Sequence, residues 1–383
     1  MLFYVNKEGE ACMFDDYSSL FDIKTIEENK NFWLVRTKKG FFYDEYVDNQ
    51  YIALGWNTLE KEKINSIESD DDLKLLKEEI EMRYDTKQGT TIINKCKRFI
   101  NEMQEGDIVM LPSHHNNSLA FAIVGDYYEE EECTYAKEIE VNKLIDDGID
   151  YGTKVECPYK KRRKIEIIKT INGERLNPNL YKVLASYHGI STINKYANFI
   201  LSSIYNFYIW HGKLNFVINI EEKNGINAKY FSELIYYMSD ILTMDSDDIK
   251  VYTQANVNSP GDVIASLTTQ AGNFAQYLCN NWLGILVLWG AISGIKIGPI
   301  ELKSIPELVL KVHAHIRENK GISLDNSIKE IDLENKKLDL EERKIQRLNE
   351  AKGKIEEAAS NLKVNKQAGS NIIKVNFDQK GDE

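Results

Sequence analysis

The chain has 383 residues, enough for two or three domains that each bury a core, and its 43% hydrophobic and 28% charged content is that of a globular protein. A formal charge of −12 argues against a generic polyanion binder, whose affinity comes from neutralising phosphates, and leaves room for a local basic face only. Five cysteines without a CxxC pair, and six histidines not spaced with them, read as a reduced chain without zinc. The opening "MLFYVNKEGEACMFDD" carries charges where a secretory signal needs an apolar stretch, so a cytoplasmic location is expected.

Composition divides the chain into four segments: 1–200, 201–262, 263–322 and 323–383. In the first, "FWLVRT" (Phe32–Thr37), "YIALGW" (Tyr51–Trp56), "GDIVMLP" (Gly106–Pro112) and "LAFAIVGDYY" (Leu119–Tyr128) read as strands bounded by Gly, Pro or Asn. A helical stretch from Ser69 to Met103, interrupted around Gly89, lies between the second and third. That density of strands and helices predicts a mixed β-barrel with helices packed on it. The second segment reads strand, helix, strand: "LNFVINI" (Leu214–Ile220), "AKYFSELIYYMSDIL" (Ala228–Leu242) and "IKVYTQANV" (Ile249–Val257), a small βαβ module.

The third segment carries no charge from Val263 to Ile295, and its most apolar part, Trp282 to Ile295, is shorter than the ~20 residues a bilayer span needs. A buried or assembly helix through Trp282, Leu286, Trp289 and Gly290 is therefore expected, with bilayer contact as the competing reading. The fourth segment, Ser323 to Lys363, is highly charged, with Ile331, Leu338 and Ile345 at heptad spacing and Leu348, Ile355 and Leu362 on the complementary seam. It reads as a long solvated helix or a weak coiled coil, so a homo-oligomer is expected. The predicted fold class is α+β: barrel, βαβ module, apolar segment, long charged helix.

Three stretches of the first segment carry a resemblance: "FWLVRTKKGFFYDEYVDNQYIALGW" (Phe32–Trp56), "NKCKRFINEMQEGDIVMLPS" (Asn94–Ser113) and "AFAIVGDYYEEEECTYAKEIEV" (Ala120–Val141). In order and motif they resemble the EVE/PUA-like domains at the N-termini of Mrr-type, modification-dependent restriction proteins. The shared positions are Trp33, Arg36, Ala53, Gly55, Trp56, Asn94, Phe99, Gly106, Asp107, Gly125, Asp126 and Tyr127. The resemblance implies a PUA-like fold and a nucleic-acid or modified-nucleotide ligand, held by aromatic faces beside groups that read its edge.

On that expectation Trp56, Tyr127 and Tyr128 are candidate stacking faces, and Asn94 and Arg98 are candidate edge or phosphate contacts. His114, in the polar loop "SHHNNS", is a candidate for the pocket mouth. Core packing competes for Trp33 and Trp56, helix capping for Asn94, and turn formation for Asp107 and Asp126. "YKKRRK" supplies Lys160, Lys161, Arg162, Arg163 and Lys164, the densest basic run and the expected phosphate contact; the alternative is a strand edge protected by charge.

A nuclease core would place an Asp before an E-x-K. Glu221 and Lys223 follow an apolar strand, but no Asp stands between Asp150 and Glu221. With no P-loop, GxGxxG, GxSxG or HExxH, no enzyme, cofactor or metal is expected. The order of segments suggests a sensor of bacterial antiphage defence that reads a nucleic acid or nucleotide and acts through C-terminal oligomerisation or membrane contact. The alternative is the specificity component of a restriction system with a separate effector or nuclease chain.

Overall fold

A computed structural model of the chain describes residues 3–5, 11–13, 23–185, 189–220, 225–244, 249–255, 261–268 and 324–364, with isolated positions from 277 to 290. The chain divides into two compact units: Ile26–Tyr205, and Met1–Thr25 together with Asn206–Glu383. The described parts are mixed α+β with two mixed sheets, one of them curled into a half-barrel. At the start of the chain, β1 (Phe3–Val5) and β2 (Ala11–Met13) pair antiparallel, and β3 (Lys24–Thr25) joins the sheet of the unit that contains the C-terminal residues.

The unit Ile26–Tyr205 runs β4 (Phe32–Val35), α1 (Tyr43–Asp48), β5 (Tyr51–Leu54), α2 (Lys61–Asn65), α3 (Asp70–Arg83) and α4 (Gly89–Lys97). A π-helical turn (Arg98–Glu102), β6 (Ile108–Pro112), β7 (Ser118–Glu129), α5 (Tyr135–Asp146) and β8 (Lys161–Asn172) follow. It ends with α6 (Pro178–Leu184), β9 (Ile190–Thr192) and α7 (Ala197–Ile204). The sheet order is β5-β8-β7-β6-β4-β9, with β4 and β6 parallel and the other pairs antiparallel. β4 and β5 are buried along their whole length, which is why they read as unbroken apolar runs.

Local chemistry sets the helix ends. α3 opens on a capping box: the Ser69 hydroxyl accepts from the Asp72 N–H, and the Asp72 carboxylate accepts from the Ser69 N–H. The interruption expected around Gly89 lies just before it, at Tyr84–Gln88, and Gly89 starts α4. A Cβ there would sit 2.8 Å from the Lys77 side chain and 2.9 Å from the Lys77 carbonyl, so glycine is what lets α4 approach α3. Trp33 is core, and its indole N–H donates to Asp107 at 2.8 Å. The buried Asp107 carboxylate also accepts from the main-chain N–H groups of Asn31 (3.0 Å) and Gln104 (2.9 Å), tying three segments at the Gly106–Asp107 turn.

In the other unit, β10 (Phe207–Trp210), β11 (Lys213–Ile220), α8 (Ala228–Thr243), β12 (Lys250–Ala255), β13 (Gly261–Thr268) and α9 (Leu324–Asn361) follow in order. The sheet order is β12-β13-β11-β10-β3. β13 contains the start of the uncharged run: Val263, Ala265 and Leu267 alternate into the core between β11 and β12. Tyr277, Ile285, Val287 and Leu288 share that core with Leu234, Met238, Ile241 and Leu242 of α8 and Leu348, Ala351, Ile355, Ala358, Ala359 and Leu362 of α9.

This arrangement bears on two expectations. Gly290, expected in a buried or assembly helix, is buried inside the chain's own fold. So is Gly284, where a Cβ would meet the Ile241 Cγ2 at 2.9 Å. Trp282, Leu286 and Trp289 lie outside the described residues. Among the described residues no helix is long and apolar enough to cross a membrane. The seam Leu348, Ile355, Leu362 does not face a second chain or solvent: it packs on α8, because each of these residues is buried within the unit. Arg347 pairs with Asp240 of α8, and Val364 bridges to Ile220 of β11.

Candidate functional site

The basic run forms the start of β8, between β5 and β7, and that position fixes what its side chains do. Lys161 is fully buried and donates to the Trp56 carbonyl at 2.7 Å; burial lowers its pKa. Arg163 is buried, with Nε donating to the Phe99 carbonyl (2.9 Å), Nη2 to the Ile100 carbonyl (2.9 Å) and Nη1 to the Gly125 carbonyl (3.2 Å). It thereby satisfies carbonyls that the π-helical turn leaves over at its end. Arg162 lies 4.4 Å over the Tyr51 ring and 3.6 Å from Glu130. Lys160 bridges Glu60 (2.8 Å) and Glu131 (3.2 Å).

Of the five cations, Lys164 is exposed. The acidic run is the other half of the explanation: β7 pairs with β8 so that Tyr127, Tyr128 and Glu129 face Arg163, Arg162 and Lys161 in register. The residues just beyond β7 supply the counter-charges: Glu131 pairs with Lys160 and Glu130 with Arg162, so two runs that look like opposed surface patches in the sequence meet where this ladder ends. The expected phosphate-contact run is therefore structural in Lys160, Lys161, Arg162 and Arg163, with Lys164 the cation it leaves for a ligand.

Beside that ladder an open pocket of about 590 Å³ is lined by Lys61, Ile100, Gln104, Glu105, Asp126, Tyr127, Tyr128, Arg163 and Lys164. The volume suits a small ligand. Lys61 and Lys164 are exposed, while the Arg163 donors are engaged inward. The Tyr127 hydroxyl donates to Glu129 at 2.6 Å, and its pKa is raised by burial and then by that carboxylate. The Lys61 ammonium and the Arg163 guanidinium each lie 5.6 Å from the Tyr127 centroid. Two cations and the Phe99 ring, 6.4 Å away centroid to centroid, already surround that ring, so Tyr128 is the better stacking face. The pocket offers cations, a phenol face, the Gln104 amide and two carboxylates within one depression.

Trp56 is not among the lining residues. It is half-buried in the turn after β5, with φ +61, a left-handed backbone that an aromatic residue rarely adopts and that costs about 1–3 kcal/mol. The Lys95 ammonium lies 5.3 Å from its ring centroid. Three buried side chains hold the turn. Glu138 of α5 accepts from the Trp56 N–H, from the Asn57 N–H at 2.8 Å and from the Tyr84 hydroxyl at 3.0 Å. Lys161 takes the Trp56 carbonyl. Asn57 donates to the carbonyls of Cys133 (3.2 Å), Thr134 (3.1 Å) and Pro158 (2.7 Å) and accepts from the Lys160 N–H (2.8 Å). Gly55 leaves room for the same contact, since a Cβ there would stand 2.8 Å from the Glu138 Oε1.

The remaining expected contacts are not brought to the pocket. Asn94 is exposed on α4, and it is its main-chain carbonyl that accepts from the Arg98 N–H. Arg98 is exposed and lies 3.9 Å from Glu102. His114 sits at the β6–β7 turn, with β7 running about 30 Å from there to Tyr127 at ~3.3 Å per residue. Its Nδ1 is 2.8 Å from the Lys39 carbonyl and its ring stacks on Tyr151 at 4.1 Å, which packs two loops together. Asp107 is a turn hub, whereas Asp126 reaches the pocket. Lys61, Gln104, Glu105 and Glu138 carried no motif in the sequence; Lys61 and Glu138 lie on helices whose register alone could have pointed inward. Glu221, Glu222 and Lys223 lie outside the described residues, among which no cluster fit to hold a metal ion occurs.

Nothing among curated proteins matches the chain, and no solved structure does. Residues 33–179, the part that holds the β5–β8–β7 ladder, the pocket and the Trp56 turn, match a family described as a domain of unknown function (DUF8426).

Proposed function

We propose that the unit Ile26–Tyr205 is a PUA-like recognition module for a nucleotide or single-stranded nucleic acid, a modified base included. The pocket carries this reading: Tyr128 supplies an uncommitted aromatic face, Lys61 and Lys164 supply exposed cations for phosphate, and Gln104, Glu105 and Asp126 supply acceptors and an amide for a base edge. Two exposed cations amid an acidic surface favour one nucleotide or a short single strand over a long duplex, whose affinity grows with the number of phosphates neutralised. Joined to a second compact unit, the module fits a defence-type sensor that passes ligand binding to a C-terminal effector part, through self-association or a separate chain.

The test is fluorescence polarisation of labelled single-stranded DNA and RNA oligonucleotides, unmodified and carrying methylated bases, over a salt series. Binding that weakens with salt, and that Tyr128→Ala lowers by about 1–3 kcal/mol, supports the reading. An absence of binding to all four probes at low salt overturns it. Light scattering with and without the bound probe then checks the relay: an unchanged mass removes self-association from it.

A further inference from the structure

We infer that Glu138 and Lys161 are positioning residues that hold Trp56 in its left-handed backbone, so that the Trp56 ring and the Lys95 ammonium form a second ligand contact. This rests on the recognition reading above and extends it beyond the pocket. Strain of this kind persists where the surroundings over-determine it, and it concentrates at ligand clamps. Here the two peptide groups that flank Trp56 are held from both sides. One buried carboxylate takes the N–H groups of Trp56 and Asn57, and one buried ammonium takes the Trp56 carbonyl.

Glu138 and Lys161 are both almost wholly removed from water, an unfavourable position for charged groups unless their bonds serve a particular geometry. The conformation they impose leaves the Trp56 ring half-buried, while Trp33 in the same unit is fully core. Lys95 is half-buried too, and its ammonium stands over the ring. An indole face beside a cation suits a planar base with a phosphate attached, the ligand class of the pocket.

The experiment is a double-mutant cycle on oligonucleotide binding, with melting temperature measured for each variant. Glu138→Gln lowers affinity about tenfold in the wild-type background and by nothing further in a Trp56→Gly background, because a positioning residue acts through the ring it places. Lys161→Met behaves the same way, and Trp56→Phe retains most of the binding. Independently of any ligand, Trp56→Gly melts about 2–4 °C above Trp56→Ala, since the two lose the same ring and the strain of alanine at a positive φ outweighs the greater unfolded-state entropy of glycine. If Glu138→Gln weakens binding equally in both backgrounds, or if Trp56→Gly binds as the wild type does, the inference is overturned while the pocket reading stands on Tyr128→Ala. If the wild type binds no oligonucleotide, the recognition reading fails, and the ligand role of Trp56 with it. If Trp56→Ala melts as high as Trp56→Gly, the strain that motivates the inference is absent.

Discussion

Arg163 separates a structural reading of the basic run from a ligand-binding one. Its guanidinium donates to three main-chain carbonyls, those of Phe99, Ile100 and Gly125, from a side chain 5% exposed. Replacement by Ala leaves all three carbonyls inside the protein without that donor. At about 1–2 kcal/mol for each, the loss is about 3–6 kcal/mol. The cation also lies 6.0 Å from the Phe99 ring centroid and 5.6 Å from that of Tyr127, worth about 0.5–1 kcal/mol each. Arg163→Ala should therefore destabilise the unit Ile26–Tyr205 by about 4–8 kcal/mol, at or beyond the upper end for single substitutions. Arg163→Lys, whose single ammonium can replace one bond of the three, should lose about two thirds as much. Urea unfolding followed by tryptophan fluorescence measures both, and hydrogen exchange at Phe99–Met103 should accelerate first because the carbonyls at risk belong to that turn. A loss below about 1 kcal/mol, accompanied by a fall in oligonucleotide affinity, would make Arg163 a ligand cation and refute this reasoning.

Lys164→Ala should do the reverse: stability within about 0.5 kcal/mol of wild type and a salt slope of oligonucleotide binding reduced by about 1; an unchanged slope takes Lys164 out of the interface. Burial pushes the Cys96 thiol up to about 11 and the Cys157 thiol up to about 12. The folded chain thus keeps protons that unfolded thiols release above about pH 8.5, and stability present at neutral pH should fall as pH rises toward 11. Unfolding midpoints across that range should slope less in Cys96→Ala than in wild type, and equal slopes would contradict the assignment. Gly284→Leu should lower the melting temperature of the C-terminal unit by forcing a side chain against Ile241, at a cost of about 1–3 kcal/mol; unchanged melting with altered light scattering would return this segment to an assembly surface.

Elements with a strong local signal were legible in the sequence because their physics is local. The apolar runs at Phe32–Val35, Tyr51–Leu54, Ile108–Pro112 and Ser118–Glu129 became strands, and Ala228–Thr243 became the helix its apolar stripe predicted. The alternation in Ile249–Val257 survives as β12. The Tyr127–Tyr128 pair, singled out through the resemblance rather than by its own pattern, lines the pocket.

What the tertiary structure decided is everything that depends on pairing. Whether a lysine meets water or a carbonyl is set by the neighbouring strand, so five consecutive cations could not be recognised as the interior of a ladder until Glu129 and the tyrosines stood opposite them. Whether an uncharged run crosses lipid, binds a second chain or fills a core is set by which apolar faces surround it. Here Ile285 and Leu288 found α8 and the seam of α9 within the same unit. And a tryptophan in a strand-like run showed its left-handed turn only once Glu138 and Lys161, 82 and 105 residues away in sequence, were seen to grip its peptide groups. Composition and periodicity report what a residue prefers; long-range hydrogen bonds and packing determine which of those preferences is met.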